Sequence, residues 1–144
     1  MGAGHPIHRL TRVALFSAWS LVACSSSDDP VEDTGFRVVS TVPVDGELEA
    51  VEAQTPELRV NADADQTTCT ADTMRLDGLT ESGVLAFAVD FELRFVDGGS
   101  KILFDHADVL PDGYTYALTV PVDSACTDTE GRLLQPFGAE FFVP

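Results

Sequence analysis

Along residues 83–96, GVLAFAVDFELRFV, a large apolar side chain falls on every second position. Leu85, Phe87, Val89, Phe91, Leu93 and Phe95 alternate with Ala86, Ala88, Asp90, Glu92 and Arg94. A period of two puts the large residues on one face of an extended strand. Asp97-Gly98-Gly99 follows as a hairpin turn, and KILF at 101–104 is the return strand. The same alternation recurs in YTYALTV at 114–120, with Tyr116, Leu118 and Val120 on one side, and AEFFV at 139–143 ends the chain. Earlier candidates are FRVVST at 36–41, ELRVNA at 57–62 and TMRLDG at 73–78. No window in this region sustains a 3.6-residue apolar period. The pattern predicts an all-β domain of about seven short strands, packed as an antiparallel sandwich.

The first residues follow another logic. MGAGHPIHRLTR, residues 1–12, carries Arg9 and Arg12 and no acid, and VALFSAWSLVA, residues 13–23, is apolar and uncharged. This is the layout of a secretory leader. The apolar run is shorter than the roughly 20 residues that a bilayer-spanning helix needs. It ends in Leu21-Val22-Ala23-Cys24, which resembles a bacterial lipobox. The resemblance implies a signal peptide over 1–23, and a Cys24 that becomes the first mature residue and carries diacylglycerol and an N-acyl chain such as palmitate. The alternative is an ordinary secretory cleavage site with an incidental cysteine. Each buried methylene contributes about 0.8 kcal/mol, so two or more chains give a stable anchor where one does not. Ser25 and Ser26 resemble an outer-membrane sorting signal.

Residues 25–35, SSSDDPVEDTG, hold one apolar side chain, Val31, and the acids Asp28, Asp29, Glu32 and Asp33. A segment this polar cannot offset the entropy of ordering. With Cys24 it reads as a tether, residues 24–35, carrying a domain at 36–144. The 44% hydrophobic content of the 144-residue chain suffices for one core.

The domain's two ends carry a resemblance. VVSTVPVDGELEAV, residues 38–51, is similar to the opening of SbsA-type bacterial Ig-like domains, with their Thr-x-Pro-x-Asp-Gly. Residues 109–143 resemble their closing half at Leu110, Gly113, Tyr116, Asp128, Gly131 and Phe141. The family's Phe-Ser-x-Pro-like stretch after its second strand is replaced here by NADADQTTC. The resemblance implies an Ig-like β-sandwich. Leu110 and Tyr116 also bracket a tight turn, as in a tyrosine corner, where the phenol bonds back to nearby backbone.

With Cys24 assigned to lipid, Cys69 and Cys126 remain as an even pair in an oxidising compartment. In an up-and-down path they follow the second and sixth predicted strands, whose exits share one end of the sandwich. A Cys69–Cys126 disulfide is the expectation, with two free thiols as the alternative. Asp63, Asp65 and Asp72 fall near the first cysteine, and Asp123 and Asp128 near the second. Asp63, Asp65, Asp123 and Asp128 are weak calcium candidates, because calcium takes six to eight oxygens, but no EF-hand spacing is present and solvated loop acids are the default. No other metal site or cofactor is expected. His106, the one histidine beyond the leader, is placed at the opposite end from the cysteines.

The net charge is −16. Removing the leader takes Arg9 and Arg12 and leaves six basic against 24 acidic residues. Such a chain is repelled by nucleic acid, which is excluded as a partner. No Gly-x-Ser-x-Gly, His-Glu-x-x-His or phosphate loop is present, so catalysis is not expected. The expected role is a lipid-anchored envelope protein, at the outer membrane, whose domain binds an envelope protein or a glycan. The alternative is a structural lipoprotein without a specific ligand.

Overall fold

A computed structural model describes residues 35–46 and 55–144 of the chain. The leader, Cys24 and most of the tether lie outside the described residues. Eight strands form: β1 (Val38–Val42), β2 (Glu57–Val60), β3 (Arg75–Leu79), β4 (Leu85–Ala88), β5 (Glu92–Val96), β6 (Lys101–Asp105), β7 (Tyr114–Val120) and β8 (Phe137–Val143). They make two four-stranded sheets, in the orders β1-β2-β6-β5 and β4-β3-β7-β8. Every strand pair is antiparallel. These orders correspond to the ABED and C′CFG sheets of an Ig-like sandwich.

One expectation is corrected. Residues 83–96 are not a single strand. β4 belongs to one sheet and β5 to the other, and Val89, Asp90 and Phe91 carry the chain between them with no turn. The crossing stays extended, so the alternation runs through it unbroken. Phe87, Val89, Phe91, Leu93 and Phe95 all pack against the core from this flank, each only partly buried. Leu85 departs from the pattern and is 53% exposed, next to a register shift between Gly78 and Leu79.

The core lies between the sheets. Leu58, Ile102 and Phe104 from one sheet meet Leu76, Tyr116, Leu118, Val120 and Phe141 from the other, all essentially inaccessible to water. The outer edge of the Phe87 ring packs on Gly78, where a Cβ would lie 2.5 Å from Cζ. Its ring also meets Tyr114 edge-on, with centroids 5.0 Å apart, a favoured aromatic geometry. A side chain at position 78 would displace the Phe87 ring from this place.

The Thr-x-Pro-x-Asp-Gly stretch acquires a physical role. β1 ends at Val42, and the Val42–Pro43 peptide bond is cis. The chain then reaches the free side of β8. Asp45 Oδ1 accepts the Glu140 N–H, and the Gly46 N–H donates to the Glu140 carbonyl, each at 2.7 Å. Gly46 sits at φ +77°, a conformation that favours glycine. The motif thus covers a sheet edge that would otherwise offer unpaired backbone groups.

The tyrosine corner forms as expected. The Tyr116 hydroxyl donates to the Pro111 carbonyl at 2.6 Å, and the ring is fully buried. Burial, with Tyr114 and Asp112 nearby, pushes the phenol up to about 12. Tyr116→Phe would leave that carbonyl without its partner. The expected loss is about 1–2 kcal/mol of stability, read as a fall of several degrees in Tm with an unchanged far-UV spectrum.

Candidate functional site

The two ends of the sandwich differ in chemistry. At one end Cys69 and Cys126 are disulfide-bonded, with Cα atoms 4.2 Å apart. The topological expectation holds because β2 and β7 leave their sheets at this end. Around the disulfide the two loops are stitched by main-chain bonds. The Asp65 N–H donates to Thr127 O at 2.9 Å, and the Thr129 N–H to Asp63 O at 3.0 Å. Thr68 and Thr127 join their hydroxyls at 2.8 Å. The Ser124 hydroxyl is turned inward and donates to Thr73 O at 2.9 Å.

Asp128 is the organising acid here. It is 1% exposed. Its Oδ1 accepts the N–H groups of Glu130 and Arg132 at 3.0 and 2.9 Å, and its Oδ2 accepts the Arg132 Nε–H at 2.6 Å. Burial pushes its carboxyl up, but these donors and the Arg132 charge outweigh that and hold it below the usual carboxylate range. Gly131 at φ +82° allows the tight return. The Asp-x-x-Gly loop is thus a self-contained turn locked by an ion pair.

The weak calcium candidates do not converge. Asp128 spends both oxygens on Arg132 and the main chain. Asp65 Oδ1 accepts the hydroxyl and the N–H of Thr67, at 2.6 and 2.8 Å, and these bonds lower its pKa. Asp63 lies beside the Gly98 turn, and Asp123 and Asp72 are exposed on separate loops. Among the described residues no three His, Cys, Asp or Glu side chains are grouped to hold a metal ion.

The opposite end holds a cleft of about 400 Å³ between the β4–β5 crossing and the β6–β7 loop. Phe87, Val89, Val109, Leu110 and Pro111 give it an apolar lining, and Asp90, His106 and Asp108 a polar one. Asp90, His106 and Ala107 also line a shallower recess on the β5 side, with Glu92 and Asp105. A nitrogen of the half-buried His106 ring meets the Asp108 carbonyl. Arg94 grips Asp105 with two donors, at 2.6 and 3.2 Å. That pairing lowers the Asp105 carboxyl and raises the Arg94 guanidinium. His106 is at the end expected for it, since β6 runs antiparallel to β2. The cleft itself was not anticipated. The available sign was the uncharged run 84–89, which continues into Asp90.

No protein-family model matches the sequence, and no curated protein matches it. Solved structures do match. The S-layer protein rSbsC(31-844) superimposes with a TM-score of 0.55 at 18% identity over 75% of this chain. This chain spans 13% of that protein's length. PcoC, a methionine-rich copper resistance protein from Escherichia coli, superimposes with a TM-score of 0.52 at 15% identity, covering 76% of this chain and 99% of PcoC. At such identities the likeness establishes the fold, a β-sandwich, and no more.

Two outcomes test the disulfide end. Cys69 and Cys126 should alkylate only after reduction, and reduction should cost about 4 kcal/mol for a loop of this size in the chain-entropy model; alkylation of both in unreduced protein would contradict the bond. Asp128→Asn should destabilise by about 2–3 kcal/mol at pH 7, by loss of charge-assisted bonds at a buried site. The folded carboxyl titrates below its unfolded value, so its contribution is complete above about pH 4 and is lost as pH falls further. The stability gap between wild type and Asp128→Asn, measured by denaturant unfolding, should therefore narrow below pH 4.

Proposed function

We propose that this chain is a lipid-anchored cell-envelope protein that displays one Ig-like domain, residues 36–144, as a non-catalytic binding module. The observation that supports it is the commitment of reactive groups to the fold. Asp128 is held by Arg132, Asp105 by Arg94, Ser124 by the Thr73 carbonyl, and both domain cysteines by each other. What is left on offer is surface: a cleft and an exposed strand.

The copper chemistry named for PcoC does not transfer readily. Soft or imidazole ligands select copper, and here Met74 is 2% exposed, Cys69 and Cys126 are oxidised, and His106 is a single imidazole outside any three-ligand group among the described residues. The leader, the lipobox and the acidic tether support display from a membrane, with Cys24 as the lipidated residue and the outer membrane as its location. Phe36 enters the domain at the disulfide end, bridging to Leu134, whose N–H donates to the Cys126 carbonyl. The cleft then lies at the end of the domain away from Gly35 and Phe36.

In-cell cross-linking of the tagged full-length chain, followed by mass spectrometry, tests this reading. One dominant envelope partner is expected, lost in a Cys24→Ala variant that fractionates away from membranes. A Cys24→Ala protein that stays with the membrane would overturn the anchor. No partner above background would overturn the binding role.

A further inference from the structure

We infer that the open edge of β4 accepts an extended, basic-flanked segment of another protein as a fifth strand of its sheet. The inference rests on the binding-module reading and specifies the surface and the partner's chemistry.

β4 stands at the end of the order β4-β3-β7-β8, with no strand beyond it among the described residues. The other end of the same sheet is closed by Asp45 and Gly46 on Glu140. The contrast lies within one sheet: one edge is capped by a dedicated turn and the other is left open. The ladder fixes which groups point outward. The Val89 N–H donates to the Leu76 carbonyl at 2.8 Å, and Ala88 stands opposite Asp77. Successive residues of an antiparallel strand turn their backbone groups to opposite sides. The N–H and C=O of Ala88 therefore face away from β3.

Natural edges are blunted by charge, proline or bulges that twist the edge away. Residues 84–89, VLAFAV, contain no charge and no proline; the register shift makes Ala86 the extra residue of the strand, and pairing is regular at Phe87 and Ala88. Val84 and Leu85 are 61% and 53% exposed, and the Ala86 and Ala88 side chains are small and exposed. Nothing bulky screens the edge. β5, on the same flank, carries Glu92 and Arg94 instead.

Charge selects the occupant. Glu81 precedes this run, Asp90 follows it, and Asp108 shares the cleft with Asp90, Phe87 and Val89. A second copy would bring its own Asp90 and Asp108 to the same edge, in a chain of net charge −16. A foreign strand with lysine or arginine at its flanks meets Asp90 and Asp108 where the edge reaches the cleft. Its main chain supplies affinity and its alternate side chains supply specificity.

The test uses the full-length chain and three synthetic peptides. One is Lys-Lys-Val-Thr-Val-Thr-Val-Lys-Lys, the second carries glutamate flanks on the same core, and the third has proline at the central position. Amide hydrogen exchange at Ala88 should slow about tenfold or more with the first peptide, less with the second, and not at all with the third. Ala88→Pro removes an N–H that β3 does not use, and should weaken binding about tenfold or more. Ala86→Lys, which places a guarding charge on the edge, provides a second variant should Ala88→Pro fold poorly. Unchanged exchange at Ala88 with the basic peptide would overturn the inference. So would peptide-free protection of Ala88 that grows with protein concentration, which would assign the edge to a second copy. A cross-linked partner retained in full by a folded Ala86→Lys variant would also overturn it, while leaving the binding-module reading intact.

Discussion

The clasp at the disulfide end holds the two sheets in register. β2 leaves one sheet and β7 leaves the other, and the loops that follow them are joined by the Cys69–Cys126 bond. The covalent link alone would leave two polar loops with buried main-chain groups to satisfy. The bonds between Asp65 and Thr127, Thr129 and Asp63, and Thr68 and Thr127 meet that need. Asp128 completes it from within its own turn, placing a carboxylate where the Glu130 and Arg132 N–H groups would otherwise go unpaired. Removing Arg132 would leave the Asp128 carboxylate buried without its cation, and that costs more than the pair contributes. The Ser124 hydroxyl, the Phe36 plug and the Asn61 side chain, which holds the Gly35 carbonyl and the Arg37 N–H, all attach to this same region.

A two-sheet sandwich without closure has four edges, and each must be managed. β8 is covered by the turn that follows Pro43. β1 and β5 close the other sheet; β1 carries the exposed Ser40 and a register shift between Val38 and Ser40, and β5 carries Glu92 and Arg94. β4 is the exception, and its position is tied to the crossing at 89–91. The chain can move from one sheet to the other without turning only if it passes along a flank. The two strands it joins must then both be edges. Phe87, Val89, Phe91, Leu93 and Phe95 are the apolar seam that holds this flank to the core, which is why they are large and yet only partly buried.

Much of this was legible in the residues. Alternation fixes which side chains of 85–95 face inward, and it does so correctly from Phe87 onward. Strand direction alone places Cys69 beside Cys126 and His106 at the far end. The spacing of Leu110 and Tyr116 anticipates the bond to Pro111. The sheet change was not legible, because an extended crossing keeps the period of two and so leaves no mark on the hydropathy pattern. The register shift that exposes Leu85 depends on where β3 pairs, which no local pattern encodes. The grouping of acids near the cysteines misled for a related reason. Proximity in loops says which residues share an end, whereas a site requires carboxylates that converge with oxygens unspent; Asp128 gives both of its oxygens, and Asp65 one, to their own turns, and the acids are not grouped among the described residues.

Charge links the fold to its surroundings. Arg59, Arg75, Arg94, Lys101 and Arg132 each lie against a carboxylate of the domain. Exposed pairs of this kind contribute little stability individually, but they consume most of the few cations the domain has. The acids in excess then set the long-range field, which is felt over about 8 Å at physiological ionic strength. Such a field keeps copies of the chain apart even where an uncharged strand edge would let them join. It therefore performs, from a distance, the guarding that lysine or proline performs locally on other edges. A domain protected in that way can leave an edge open to partners of opposite charge without being driven to pair with itself.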